Sequence, residues 1–417
     1  MTTRGPSAGA EAGRAHRDPA SWHPVALVQI EVDAPTSPHC DHLNPGDREW
    51  IEVLKQGQVV GVVEAVAGED GLPPLLREEL ARSFADVTPA PRKRLPDADL
   101  PKATVVVPTI CQNPAELVRT VDSLVSLDYP DFEIILVDNR SGPDRAPLPT
   151  FSDARRVRVV VEPRRGISAA RNRGSASAAG DIVAFTDDDV VVKQDWLRVI
   201  GTRFAQDPKL DAIGGLVLPA ELDTEPQLWF EVFYGGFSRS FRAETFSIER
   251  LRGTDDLFPY APARFGAGCN MAFRRSTLEE IGGFDSSLVT GTPAKGGEDL
   301  AMFIELITRG GTLAFEPAAL IWHSHRRTER EFMRQVFSYG TGLTAMYTAI
   351  ISRHPQHLIE LIRRIPAGIR LVIRPRGVRS ASRTPSYPRR ALVYQLLGMA
   401  YGPVAYARSV IRNRNSP

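Results

Sequence analysis

Three consecutive aspartates, Asp187-Asp188-Asp189, come directly after a mostly apolar, strand-like run at residues 181–186. Three like charges at the end of a buried strand repel one another and lose solvation, so they need a compensating partner. A divalent cation supplies one, because Mg²⁺ and Mn²⁺ take oxygen ligands and phosphate oxygens commonly complete their coordination. The triplet therefore predicts a metal–diphosphate site, with a solvated acidic turn as the alternative.

Two further groups stand where ligands collect in α/β sheets. Asp138 ends the apolar run 132–137, and Arg171 lies on a Gly- and Ala-rich helix start that would let a ligand approach the backbone. A carboxylate there could accept hydrogen bonds from a base or ribose, and a guanidinium could pair with phosphate. A turn or cap aspartate and a surface arginine remain open as alternatives.

A second acidic pair, Glu298-Asp299, follows Lys295-Gly296-Gly297 and precedes an amphipathic helical run, Leu300–Arg309. Acids at a helix N-terminus often serve only as caps or dipole partners. Trp322-His323-Ser324-His325 closes another apolar run. A histidine there could ligate a metal, with a structural histidine as the alternative.

The composition is that of a globular protein with two or three domains. The 417 residues are 42% hydrophobic and 24% charged with a net charge of +1, which gives no sign of nucleic-acid binding. The three cysteines, Cys40, Cys111 and Cys269, are too dispersed for a disulfide framework and favour a reducing cytoplasm. The stretch 39–42, His-Cys-Asp-His, is better interpreted as a loop than as a metal site.

The elements that must position these residues alternate along the centre of the chain. Strand-like runs at 104–107, 132–137, 157–161 and 181–186 are interleaved with helical patterns at 114–127 and 168–179, as in α/β folds. We predict a disordered lead at 1–23, a small α+β accessory module at 24–87, a linker at 88–102, a catalytic domain at 103–330 and a basic helical tail at 331–417. The module is expected to contain a hairpin around Gln56-Gly57 and a short helix from Pro74.

Seven ordered segments of this central region resemble family 2 glycosyltransferases. Together they cover roughly Ala103 to Arg327. In chain order, the segments are Val105-Val106-Val107-Pro108-Thr109, Glu133 to Asn139, Gly166 to Asn172, the aspartate triplet, Gly266 to Asn270, Gly282-Gly283-Phe284-Asp285 and Gly297-Glu298-Asp299. The resemblance implies a GT-A fold, with a Rossmann-like mixed sheet flanked by helices. It also implies a UDP-, GDP- or dTDP-linked sugar donor, a divalent cation (Mg or Mn) and inversion at the anomeric carbon.

The resemblance further implies a role for each matching residue. Asp299 is expected to act as general base, with Glu298 binding acceptor or orienting its partner, since an inverting transfer needs a carboxylate opposite the leaving group. Asp187 and Asp189 are expected to ligate the metal, with His323 as third ligand and His325 as its alternate. The residues expected to bind the donor are Pro108, Thr109, Asp138, Arg171, Asn172, Asp187 and Asp188. Asn270 is expected to bind the acceptor together with Glu298.

Departures from the family narrow the expected activity. Processive synthases of the family carry a QxxRW motif after this point, which Arg334–Ser338 does not match, so a single sugar addition is favoured. The aromatic region 228–262 could stack on sugars or a lipid chain, or form core, and we favour core. The acceptor is a glycan, a lipid-linked or a small-molecule hydroxyl.

The tail from 331 to 417 contains 14 arginines, no lysine and two acids. Its two uncharged segments, 337–352 and 391–407, are too short to span a bilayer. Arginines flank both, which indicates either peripheral contact at the cytoplasmic face of an anionic membrane or a helical pair packed on the catalytic domain. Two other functions stay open: a nucleotidyltransferase on a similar sheet, and a non-catalytic nucleotide- or sugar-binding module.

Overall fold

The computed structural model of the chain describes residues 24–33, 48–66, 74–89, 94–142, 145–237, 240–251, 256–373 and 390–414. The predicted disordered lead and the His-Cys-Asp-His stretch at 39–42 lie outside these residues, as does part of the predicted linker.

The described residues form twelve strands and eleven α-helices. The strands are β1 Ala26–Glu31, β2 Arg48–Lys55, β3 Gln58–Val66, β4 Ala103–Thr109, β5 Phe132–Asp138, β6 Val157–Val161, β7 Ile182–Phe185, β8 Val190–Val192, β9 Ala212–Pro219, β10 Glu244–Phe246, β11 Met271–Arg274 and β12 Leu313–His323. The helices are α1 Pro74–Ser83, α2 Pro114–Val125, α3 Ile167–Ser177, α4 Trp196–Gln206, α5 Glu225–Trp229, α6 Ile248–Leu251, α7 Arg275–Ile281, α8 Glu298–Thr308, α9 Glu329–Arg353, α10 His357–Ile373 and α11 Arg390–Arg414.

The first three strands form a small sheet of their own, in which β1 pairs parallel with β2 and β2 pairs antiparallel with β3. The predicted hairpin is confirmed: its two turn residues, Gln56 and Gly57, have φ of 53° and 68°, which suits a tight two-residue connection. This sheet contacts the larger one, since Trp322 Nε1 donates to Glu52 Oε1 at 3.0 Å.

The larger sheet has the order β10-β12-β9-β11-β7-β4-β5-β6, with β8 paired to β12. Strands β7, β4, β5 and β6 run parallel, whereas β11 is antiparallel to both of its neighbours. Strands β4, β5 and β7 are buried on both faces and are therefore apolar almost throughout, whereas the edge strand β6 is partly exposed. The predicted class, a mixed sheet flanked by helices with an α+β module before it and helices after it, is confirmed.

Strand β4 is longer than the run 104–107 predicted, because it continues through Pro108 to Thr109. Its pairing with β7 ends at Val106, while its pairing with β5 continues to Thr109 opposite Asp138. Pro108 therefore lies where the β7 side requires no ladder hydrogen bond, which is the position a strand proline tolerates. The carboxyl ends of β4, β5 and β7 thus lie side by side at one edge of the sheet.

The C-terminal helices pack in two layers. On its inner face α9 contacts the α/β region, where Ala345, Met346 and Ile350 join a cluster with Ile304 of α8. On its other side α9 meets α11 through close backbone contacts, and a Cβ added at Gly398 would lie 2.2 Å from the Phe337 carbonyl. None of the helices within the described part of the chain is long and apolar enough to cross a membrane.

Candidate active site

The aspartate triplet follows β7 and lies beside the end of β4. Thr109 Oγ1 donates to Asp188 Oδ2 at 2.5 Å, and the same hydroxyl accepts from the Cys111 backbone N–H at 2.8 Å. Burial raises the pKa of Asp188 to about 6, although the Thr109 hydrogen bond opposes the shift. Thr109 and Asp188, each predicted to bind the donor, are thus in contact at the edge where ligands of α/β sheets bind, and their donor-binding roles stay predictions.

A buried arginine links this triplet to the second acidic pair. Arg171 is 2% exposed, and its guanidinium donates to Glu298 Oε1 at 2.8 Å, the Gly268 carbonyl at 3.0 Å and Asp187 Oδ1 at 3.2 Å. The surface-arginine alternative is therefore wrong. The guanidinium binds acceptors from three separate segments of the protein, so Arg171 fixes the distance between the two groups of carboxylates.

The acidic pair Glu298-Asp299 begins α8. Gly297 precedes it with φ of 96°, and a Cβ there would lie 2.8 Å from the Gly342 carbonyl, so α9 packs directly on this turn. Asp299 Oδ2 accepts from the Gly268 backbone N–H at 2.7 Å. Burial and the neighbouring Asp299 raise the pKa of Glu298 to about 8 against the opposing charge of Arg171. Asp299 is the more accessible of the pair, because Glu298 is only 6% exposed.

The third part of the site is His323, at the end of β12. Its Nε2 lies 3.2 Å from Asp189 Oδ1. The two atoms are close enough to interact but are not aligned as a hydrogen bond. Among the residues that the structure describes, Asp189 Oδ1 and His323 Nδ1 are both buried and lack a hydrogen-bond partner. Buried polar atoms left unpaired are costly, so Asp189 and His323 each have an atom that a cation could satisfy.

A cysteine that the sequence interpretation passed over joins this cluster. Ligand atoms of Asp187, Cys269 and His323 all lie within 4.8 Å of one another. Asp187 is the exposed member, with 27% of its side chain accessible, whereas Cys269 is 3% exposed. The only signal in the sequence is its place in the Gly266–Asn270 segment, since a lone cysteine has no spacing pattern of its own.

Asp138 lies one strand further along the same edge. Arg140 donates to both of its carboxylate oxygens, at 2.9 and 2.8 Å, and holds the pKa of Asp138 below its ordinary value. The next residue, Asn139, donates to the carbonyls of Glu162 and Arg164 and accepts from the Gly166 N–H. Asn139 was not predicted, yet it ties the end of β5 to the start of α3.

Two predicted ligand-binding asparagines make contacts inside the protein. Asn172 exchanges two hydrogen bonds with the backbone of Phe284, at 2.9 and 2.8 Å. Asn270 is fully buried, donating to the Leu216 and Ala319 carbonyls and accepting from Trp196 Nε1. Pro108 is buried in β4. The structure does not bring the Asn270 amide into contact with the carboxylates, and the ligand-binding roles of all three residues stay predictions.

The histidine proposed as an alternate metal ligand has a different partner. His325 Nε2 lies 2.6 Å from Glu231 Oε1, and both residues are buried. Glu231 belongs to a π-helical turn, Phe230–Tyr234, that continues α5. Trp229 and Phe230 of the aromatic region are buried at 7% and 2% exposure, which agrees with the core interpretation.

The assembled site has two chemically distinct halves. One half offers carboxylate and imidazole ligands beside the strand ends, which suits a cation and the phosphates it would neutralise. The other half offers a carboxylate pair, one member buried and paired with arginine and one accessible, which suits proton transfer from a hydroxyl. A transfer between a phosphate-linked group and a hydroxyl needs both.

Comparison with known proteins agrees with this arrangement. The family model described as "Glycosyl transferase family 2" matches residues 104–282. The pre-mycofactocin glycosyltransferase of Mycobacterium tuberculosis is 27% identical over 68% of this chain and 55% of its own length. The glucosyl-dolichyl phosphate glucuronosyltransferase of Haloferax volcanii is 30% identical over 45% of this chain and 56% of its own length. Human polypeptide N-acetylgalactosaminyltransferase 13 is 28% identical over 68% of this chain and 50% of its own length. The chain spans about half the length of these curated relatives.

Solved structures give a weaker likeness. A mannosyltransferase from Pyrobaculum calidifontis in complex with GDP-Man and Mn²⁺ is 18% identical and superposes with a TM-score of 0.41 over 82% of this chain and 94% of that one. GalNAc-T7 with UDP, GalNAc and Mn²⁺ is 17% identical and superposes with a TM-score of 0.41 over 63% of this chain and 52% of that one. The family match rests on sequence and is confined to residues 104–282, which match the model of glycosyl transferase family 2.

Proposed function

We propose that this protein transfers one sugar from a nucleotide-sugar donor to an acceptor hydroxyl, with inversion and with the help of a divalent cation. The observation that carries the proposal is the Arg171 link, which joins a cation-compatible cluster to a carboxylate pair inside one site. The match of residues 104–282 to glycosyl transferase family 2 also supports a sugar transfer.

The proposed cation site consists of Asp187, Asp189 and His323, for Mg²⁺ or Mn²⁺. The unpaired buried atoms Asp189 Oδ1 and His323 Nδ1 support the fit. A bound cation would neutralise charge on the departing nucleoside diphosphate. Asp187 has one carboxylate oxygen on Arg171, which leaves the other oxygen free to face the cation.

The proposed donor contacts lie along the strand ends. Asp138 is held ionised by Arg140 and can accept hydrogen bonds from a base or ribose. The hydrogen-bonded residues Thr109 and Asp188 lie between Asp138, which Thr109 faces across the strand pair, and the proposed cation site. The UDP, GDP and dTDP donor classes are equally compatible with these contacts, so a donor panel is required.

Asp299 is proposed as the general base and Glu298 as the residue that orients it and the acceptor. Two contacts support this division. Glu298 is buried against Arg171, whereas Asp299 is partly accessible and its Oδ2 is held by the Gly268 N–H. The Asp299 carboxylate is proposed to take the proton of an acceptor hydroxyl.

Release of nucleoside diphosphate tests this proposal. Wild type, Asp299→Asn and Glu249→Gln are incubated with UDP-, GDP- and dTDP-sugars, Mn²⁺ and a panel of glycan, lipid-linked and small-molecule acceptors. Glu249 is an exposed carboxylate on α6 and serves as the matched control. We expect release with one donor class in wild type and control, and at least a 100-fold lower rate in Asp299→Asn with donor binding retained.

Three outcomes would contradict parts of the proposal. Pyrophosphate released from a nucleoside triphosphate would support a nucleotidyltransferase. Nucleotide binding without release under any condition would support a binding module. Near-normal turnover by Asp299→Asn would remove the base assignment while leaving the transfer reaction in place.

The basic tail is proposed to contact an anionic membrane surface. Helices α10 and α11 expose large apolar side chains at 42–60% exposure: Leu358, Ile359, Ile362, Ile365, Leu392, Val393, Tyr394, Leu396, Leu397, Val404 and Ile411. The segment 331–417 has 14 arginines against two acids, which complements anionic lipid headgroups. Such a contact would suit a lipid-linked acceptor.

Vesicle flotation tests the membrane contact. Vesicles with phosphatidylglycerol should retain wild type and vesicles of phosphatidylcholine alone should not. The double variant Ile359→Gln/Ile362→Gln should lose binding, whereas Val159→Gln, which changes an exposed valine on β6, should keep it. Retention of the double variant by anionic vesicles would contradict the contact.

A further inference from the structure

Cys269 occupies a position that no part of the proposed reaction uses. It lies between Gly268, whose carbonyl accepts from Arg171, and β11, and it is 3% exposed. Thr186 Oγ1 donates to the Cys269 carbonyl at 2.9 Å, which ties this loop to the residue immediately before the aspartate triplet. The cysteine is therefore held rigidly beside the proposed cation site.

We propose that Cys269 is a metal ligand, and that with Asp187 and His323 it forms a sulfur–nitrogen–oxygen site for a thiophilic divalent ion such as Zn²⁺, Cd²⁺ or Co²⁺. This inference rests on the cation site of the proposed function, and it adds an ion class to that site. Thiolate and imidazole suit Zn²⁺ and Co²⁺ better than a set made of oxygens alone.

Geometry supports this ligand set. The three ligand atoms lie within 4.8 Å of one another. In a tetrahedral zinc site with ligand distances of about 2.0–2.3 Å, neighbouring ligand atoms are roughly 3.5 Å apart. Asp189 is not a member of this group, although its Oδ1 lies 3.2 Å from His323 Nε2.

A second observation also points to a bound ion. His323 is 7% exposed and contributes a ring nitrogen to the group, yet its Nδ1 is buried without a hydrogen-bond partner within the described residues. A core cysteine surrounded by apolar side chains would be chemically inert. Cys269 belongs to the apolar core cluster of the sheet, but its sulfur also lies within 4.8 Å of ligand atoms of Asp187 and His323, and these are groups that ligate metals.

Binding is a proton-for-metal exchange. The Cys269 thiol loses its proton to solvent as the sulfur–metal bond forms, and no oxidant or reductant is involved. Because the thiolate is the form that ligates, binding of the ion should strengthen with pH. A tetrahedral ion held by these three residues would leave only one position for a diphosphate oxygen, so Zn²⁺ and Cd²⁺ should inhibit a Mn²⁺-supported reaction.

Cobalt spectroscopy on the full chain tests the inference. Co²⁺ is titrated into wild type, Cys269→Ser and Cys111→Ser, and the near-ultraviolet thiolate-to-Co²⁺ charge-transfer band is recorded. Cys111 is the other free cysteine described and is the matched control. We expect the band in wild type and Cys111→Ser, its loss in Cys269→Ser, and at least a tenfold weaker Zn²⁺ Kd in Cys269→Ser with a Mn²⁺ Kd changed less than threefold.

The outcomes separate this inference from the proposed function. Competition with a chelating dye measures Co²⁺ binding independently of the band. If wild type binds Co²⁺ but shows no charge-transfer band, Cys269 is not a ligand, and the proposed cation site is unaffected. No binding of Mn²⁺, Co²⁺ or Zn²⁺ overturns both. A band lost in Cys111→Ser instead also overturns the inference. If Cys269→Ser does not fold, X-ray absorption of zinc-loaded wild type tests the inference instead. We expect one sulfur ligand at about 2.3 Å from the zinc, and the absence of any sulfur ligand would contradict the inference.

Discussion

Replacing Arg171 with alanine would remove the charge that joins the two halves of the site. The side chain is 2% exposed and its three acceptors lie at 2.8, 3.0 and 3.2 Å. Removing one partner of a buried ion pair leaves an uncompensated charge and costs about 3–5 kcal/mol. Since folded domains are stable by about 5–15 kcal/mol, a large fall in the unfolding midpoint is expected.

The loss of stability in Arg171→Ala should also depend on pH. Without the guanidinium, the pKa values of Glu298 and Asp187 rise further, because burial already raises both and Arg171 opposes that shift. Protonation relieves the uncompensated charge at low pH. The destabilisation of Arg171→Ala should therefore be smaller at pH 6 than at pH 8.

Urea unfolding followed by circular dichroism at both pH values measures this effect. Arg173→Ala, an exposed arginine on the same helix, is the control and should stay within about 0.5 kcal/mol of wild type. Adding Glu298→Gln to Arg171→Ala should recover part of the loss, with a coupling energy of about 0.5–3 kcal/mol. If Arg171→Ala unfolds like the control, or if the coupling is zero, the link between the two halves is refuted.

Three other perturbations have expected outcomes. Between about pH 5 and pH 8 the wild type should lose stability, because the pKa of Glu298 is raised to about 8 in the folded state against about 4.3 in the unfolded state. Melting temperatures of Glu298→Gln should fall less steeply with pH over this range. A slope equal to that of the wild type would contradict the raised pKa. Gly402→Ala should cost about 1–3 kcal/mol by thermal unfolding, since its Cβ would lie 1.9 Å from Thr344 Oγ1, whereas Gly368→Ala, with open space around it, should be neutral or stabilising; equal effects would contradict the close α9–α11 packing. Asn139→Ala removes three hydrogen bonds and should cost about 1–3 kcal/mol and raise the donor KM; an unchanged KM with lowered stability would limit Asn139 to a structural role.

The sequence predicts the parallel part of the sheet well because each strand carries its own signal. Apolar runs that end in Asp138 or in the aspartate triplet identify β5 and β7, and turn chemistry at Gln56-Gly57 identifies the hairpin. The insertion of the antiparallel strand β11 between β7 and β9 has no such local signal. It depends on long-range pairing, which one sequence does not reveal.

The candidate site divides in the same way. The carboxylates could be found from their positions at strand and helix ends. The burial of Arg171 could not, because its acceptors come from segments 16, 97 and 127 residues away along the chain. Cys269 and Asn139 were missed for a related reason: each gains its significance only from neighbours that folding brings together.

The most direct test of the central claim is metal-dependent nucleotide binding at the aspartate cluster. The melting temperature is measured with UDP, GDP, dTDP or CDP, each with and without Mn²⁺, in wild type and Asp189→Ala. A ligand at a hundred times its Kd should add about 2.7 kcal/mol of stability. We expect a melting shift for one nucleotide that requires Mn²⁺ and is lost in Asp189→Ala. No shift with any nucleotide, or an equal shift in the variant, would contradict it.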